Sequence, residues 1–130
     1  MMRNPDLSYC LDSPYLWFDE GVSTQVPKDL DAADKFLNEM KGKKDALEQI
    51  NTAYQAMYCA TQALLHSIGY KSTGFRCVVT VLHAYFTNKG ILESKHVENL
   101  LKAQKIEGTP EENFDAAQAY VAAVKSIVKK

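Results

Sequence analysis

Arg76 and His83 are the two side chains whose types and spacing can do chemistry together. An arginine holds a phosphate and a histidine moves a proton near neutral pH, the two tasks of metal-independent RNA cleavage. Seven helical steps of about 100° return both positions to one face, two turns and roughly 10 Å apart along the axis. That is too far for contact within one helix, whereas a cleft shared by two chains would bring one Arg76 to another His83. A plainer reading stays open: the Arg76 stem covers the edge of the core while His83 bonds a backbone carbonyl or water.

Other chemistries drop out by their missing signatures. The chain has no Gly-rich phosphate loop, no H-E-x-x-H, no G-x-S-x-G and no EF-hand loop. Glu93 to His96 is the sole Glu-x-x-His match, half of what a di-iron bundle needs, so the expectation is an ordinary exposed helix face, no metal and no cofactor. Cys10, Cys59 and Cys77 are odd in number and lack a C-x-x-C, which suggests neither a disulfide framework nor a zinc knuckle and fits a reducing cytoplasm. No apolar run reaches signal-peptide or membrane-span length, so a cytoplasmic protein with no membrane partner is expected.

Fifteen basic residues against sixteen acidic ones give a net charge of −1, and only Arg3 and Arg76 are arginine. Such a chain has no field to coat nucleic acid; DNA is not expected as a partner, and any contact with RNA must be local. With 130 residues and 46% apolar side chains, a single core can stand on packing alone.

The elements that must position Arg76 and His83 are helices. Residues 1–26 keep no period but carry Tyr9, Tyr15, Leu16, Trp17 and Phe18, too aromatic for a free tail; Tyr15 to Phe18 are expected to form a turn or helix start, with Trp17 or Phe18 packed on the body or on a partner. Pro27 opens a helix whose stripe is Leu30, Ala33, Phe36, Leu37 and Met40, ended by Gly42. Asp45 to Ile68 forms the longest helix, with Gly69 as its C′ residue and alanines at 53, 56, 60 and 63 that widen its apolar face toward several neighbours. Thr73 can cap a third helix whose inward stripe is Phe75, Val79, Leu82 and Phe86, while Cys77, Thr80, Ala84 and Thr87 form a small-residue back suited to a dimer seam. A shorter helix covers Ser94 to Ile106. Thr109-Pro110-Glu111-Glu112 is a capping box that opens a closing helix with Phe114, Ala117, Val121, Val124 and Val128 inward. No segment alternates long enough for a sheet, so the expected fold is all-α, an antiparallel up-and-down bundle of four to five helices.

The run from Ala53 to Leu65, Ala-Tyr-Gln-Ala-Met-Tyr-Cys-Ala-Thr-Gln-Ala-Leu-Leu, followed by Gly69-Tyr70-Lys71-Ser72, resembles the small HEPN domain proteins, named for higher eukaryotes and prokaryotes nucleotide-binding. The closing stretch from Glu112 to Val121 is similar to that family's last helix. The resemblance spans about residues 27–130 and makes 1–26 an added N-terminal extension. It implies a helical bundle, a homodimer, and pairing with a small nucleotidyltransferase as toxin and antitoxin. Active members carry arginine, four to six residues, then histidine, sometimes followed by x-Tyr, a spelling that Arg76, His83 and Tyr85 match. The branch most similar to this chain carries its arginine before the last helix and a histidine after Lys-Ser; here residues 100–107 contain no arginine and Thr73 follows Ser72. The resemblance therefore implies a non-catalytic dimeric partner of a nucleotidyltransferase, a nucleotide or RNA, with Arg76, His83, Tyr85 and Lys71 as contact candidates. The alternatives are a ribonuclease toxin using Arg76 and His83, and a plain scaffold or adaptor bundle.

Overall fold

The computed structural model describes residues 5–128. Along them run α1 (Pro5–Leu11), β1 (Leu16–Phe18), a 3₁₀ segment (Glu20–Gln25), α2 (Val26–Met40), α3 (Ala46–Ser67), β2 (Tyr70–Ser72), α4 (Phe75–Leu82), a π-helical turn (His83–Thr87), α5 (Ser94–Gln104) and α6 (Pro110–Val128). The fold is an all-α helical bundle with one two-stranded sheet.

Local signals place most helix ends. The Asp45 side chain accepts from the Leu47 N–H at the start of α3 (3.4 Å), and Pro27 occupies the first turn of α2. The capping box closes in both directions: the Glu112 N–H donates to Thr109 Oγ1 (3.1 Å) and the Thr109 N–H donates to Glu112 Oε2 (3.3 Å). At the end of α3, Gly69 takes φ 87°, and a Cβ there would run into the Phe18 ring. Both facts require glycine at this position.

α3 is the central element and packs against α2, α5 and α6. Ala53, Ala56, Ala60 and Ala63 on α3 and Ala33 on α2 are fully buried, and their small side chains let neighbouring helices come close. Tyr120 is the largest fully buried side chain; its hydroxyl donates to Thr61 Oγ1 (2.5 Å), which in turn donates to the Met57 carbonyl (2.8 Å). Two polar ties flank this seam. His66 Nδ1 meets Asp29 Oδ2 at 2.5 Å between α3 and α2, and Lys125 Nζ donates to Asp34 Oδ2 at 2.7 Å between α6 and α2.

Four expectations are corrected here. Tyr15 lies in a turn as expected, but residues 16–18 form a strand with register Leu16↔Ser72, Trp17↔Lys71 and Phe18↔Tyr70. Leu16 enters the core (1% exposed), Trp17 alternates to the opposite side and is exposed, and Phe18 at the strand end is exposed too, so Leu16 is the anchor. Thr73 does not cap α4: its N–H donates to the Tyr15 carbonyl (3.0 Å), and Gly74 is the cap residue. Finally, the small-residue back is closed over half its length, with Ala84 and Thr87 only half-buried. Cys77 and Thr80 are buried within the chain, where α1 packs on α4, while Phe75 and Val79 of the expected inward stripe are only half-buried.

The expectation that the cysteines stay unpaired also fails. Cys10 on α1 and Cys77 on α4 form a disulfide across a sequence separation of 67, leaving Cys59 as the free thiol. The sequence ground for a reducing compartment is thereby removed. No helix among the described residues is long and apolar enough to cross a membrane.

Candidate aromatic and basic site

Three of the four candidates, Arg76, Lys71 and Tyr85, stand beside aromatic rings, and His83 does not. Arg76 lies in the first turn of α4 and is exposed, with its guanidinium 5.1 Å from the centroid of the Tyr9 ring. Tyr9 reaches it because Cys10, the next residue on α1, is bonded to Cys77, the next residue on α4. Lys71 lies opposite Trp17 in the sheet. Directly paired residues on antiparallel strands project to the same side, which places an ammonium beside an exposed indole.

The other side of the sheet continues the aromatic series. Phe18 meets Tyr70 edge-on (centroids 5.7 Å, 79°), Tyr70 lies 5.5 Å from Tyr85, and Lys89 Nζ stands 5.3 Å from the Tyr85 ring. The Tyr70 and Tyr85 hydroxyls are 3.2 Å apart. That hydrogen bond, with burial and the neighbouring phenol's charge, pushes the Tyr85 hydroxyl up to about 12, so it remains a protonated donor at neutral pH.

His83 opens the π turn, where the Asn88 N–H reaches back five residues to the His83 carbonyl (2.9 Å). Its Nδ1 lies 2.8 Å from Thr87 Oγ1, and the Thr87 hydroxyl donates to the His83 carbonyl (3.5 Å). Because the Thr87 hydroxyl is spent on the carbonyl, Nδ1–H is the donor to Thr87. Arg76 and His83 thus engage different neighbours, Tyr9 and Thr87, from positions seven residues apart. Tyr85 and Lys71 do fall beside aromatic partners.

Tyr9, Tyr70 and Lys89 stand beside these candidates without having been singled out as contact residues. Their signal was the aromatic density of residues 9–18 and of Tyr70; what was missing was the pairing of β1 with β2, which lie more than fifty residues apart. Elsewhere, a cleft of about 730 Å³ is lined by Met40, Lys41, Gln49, Thr109, Pro110 and Phe114, with Lys41 5.9 Å from the Phe114 ring, and it contains none of the four candidates. The Cys59 thiol is pushed up by burial and by the charge of Asp29, the opposite of what a nucleophile needs. Among the described residues no three His, Cys, Asp or Glu side chains cluster as metal ligands.

His96 corrects the exposed-face reading of Glu93 and His96. Glu93 pairs with Lys95 at 3.6 Å, but His96 is buried, edge-on to the Tyr120 ring at 5.7 Å, with Nδ1 unpartnered. Burial above all, then the charge of Lys95, holds its pKa below the ordinary value, against a smaller opposing effect of Glu93. The unfolded chain therefore takes up a proton that the fold excludes. The contribution of His96 to stability is full above its unfolded value of about 6.5 and is lost as pH falls from there through the folded value. Melting temperatures from pH 8 to 5 should show the wild type losing more than His96→Phe; parallel curves would refute this assignment.

No family model, no curated protein and no solved structure matches the chain.

Proposed function

We propose that this protein is a non-catalytic helical module of HEPN type that binds RNA or a nucleotide on the small sheet. The carrying observation is the pairing of rings with cations there: exposed Trp17 beside Lys71 on one side, and Phe18, Tyr70 and Tyr85 leading to Lys89 on the other. Single-stranded nucleic acid is bound by such surfaces, because bases stack on ring faces while the cations follow the phosphates. A net charge of −1 limits the contact to this local patch. A homodimer, a nucleotidyltransferase partner and a cytoplasmic setting belong to the same proposal and rest on the resemblance of residues 53–72 and 112–121.

Trp17 is the single tryptophan, so it reports directly on this face. Titration with a twelve-residue oligouridine should quench its fluorescence. Lys71→Ala should weaken binding and flatten its salt dependence, and Trp17→Ala, followed by anisotropy of a labelled oligonucleotide, should weaken binding roughly tenfold, since one stacked base is worth about 1–3 kcal/mol. Neither quenching nor binding at millimolar oligonucleotide or nucleotide would overturn the proposal in favour of a plain scaffold.

The ribonuclease reading keeps one specific support, the half-buried His83 imidazole oriented by Thr87 at a π turn, a feature frequent at functional sites. Cleavage of the same oligonucleotide, lost in His83→Ala, would replace binding by catalysis as the function.

A further inference from the structure

The disulfide joins two dipeptides that meet as a unit. Tyr9 and Cys10 on α1 face Arg76 and Cys77 on α4, so one covalent bond and one cation–π contact lie side by side. α1 has seven residues, well under the roughly 12–15 that an isolated helix needs to persist in water. It is held by packing on α4, by lesser contact with β1 and by the bridge.

We propose that the Cys10–Cys77 bridge is a redox latch: oxidised, it keeps Tyr9 against the Arg76 guanidinium; reduced, it frees α1 and opens that cation to ligand. The proposal rests on the RNA-binding reading for what the opened arginine serves, and on the geometry above for the latch itself. The contact is inhibitory because Tyr9 takes the guanidinium face on which a base would stack.

The chemistry is thiol–disulfide exchange with a dithiol reductant. One reductant thiolate attacks a bridge sulfur, the Sγ–Sγ bond breaks and a mixed disulfide forms; the second reductant thiol displaces the remaining cysteine and closes the reductant's own disulfide. Two electrons pass to the bridge, and the two thiol protons of the reductant end on Cys10 and Cys77. Cys77 lies in the first turn of α4, where the amino end of a helix favours a departing thiolate. Both cysteines are buried, so exchange begins when the two-turn α1 frays.

Three measurements on the full chain test the latch. Denatured without reductant, the protein should titrate one thiol, Cys59, and after dithiothreitol three; three thiols before reduction would overturn it. Hydrogen exchange should show residues 7–12 becoming essentially unprotected on reduction while α3 and α6, whose protection falls only with the global stability, stay protected. Unchanged protection of α1, or α3 and α6 left unprotected as well, would instead make the bridge a structural staple. Anisotropy with labelled oligouridine should show at least fivefold tighter binding after reduction and in Cys10→Ser, with Tyr9→Ala gaining part of that while still bridged. Release of α1 with equal binding in both states overturns the gating, whereas release of α1 with no binding in either state supports the latch and removes the RNA reading.

Discussion

Replacing Tyr120 by alanine is expected to lower the unfolding free energy by about 3–5 kcal/mol, the range for deleting a buried aromatic ring. The ring is fully buried between α6 and its neighbours, edge-on to His96, with its hydroxyl donating to Thr61. Alanine leaves a cavity beside the central helix and strips the Thr61 hydroxyl of its donor. Tyr120→Phe keeps the ring and loses one buried hydrogen bond, an effect of about 1 kcal/mol. Urea unfolding of the three proteins at one pH separates packing from hydrogen bonding. A loss below 1 kcal/mol for the alanine variant would mean that the seam between α3 and α6 collapses around the gap. The tyrosine is not a titrating group at neutral pH, because burial raises its pKa.

The second large effect belongs to the bridge. Cross-linking positions 67 apart restricts the unfolded chain, and the loop-entropy relation gives about 4 kcal/mol, at the top of the usual range of about 2–4. Cys10→Ser, measured by urea unfolding without reductant, should lose most of that, and the wild type in dithiothreitol should follow the variant's curve. Helical content in water should stay close to the wild type's, because α2, α3, α5 and α6 pack on one another without covalent help. If the variant matched the oxidised wild type in stability, the cysteines would be unpaired in solution. A large loss from the unfolded side is compatible with a local latch, since the entropy of a closed loop and the docking of α1 are separate quantities.

What the chain determines by itself is what short-range chemistry can specify. Asp45, Gly69 and the Thr109–Glu112 box place the ends of α3 and the start of α6 because each acts within one turn of backbone. The apolar periods of residues 27–40 and 45–68 identify helices because a 3.6-residue repeat is a property of one segment. The candidate residues Arg76, His83, Tyr85 and Lys71 were visible as residue types, and Tyr85 and Lys71 do border the aromatic face.

The tertiary structure decided the rest, and distance along the chain is the reason. Residues 16–18 are a strand only because Tyr70 to Ser72 lie beside them, and a three-residue strand has no stable form alone. Cys77 on the back of α4 is buried because α1 covers it, which a periodicity read on α4 cannot contain. On α6, Tyr120 is fully buried while Phe114 is half-buried, although both fit an amphipathic helix; which ring becomes core depends on where α3 and α5 stand. The Cys10–Cys77 bond is the extreme case. Three cysteines allow three possible pairs, and only the packing of α1 on α4 brings one of them within bonding range.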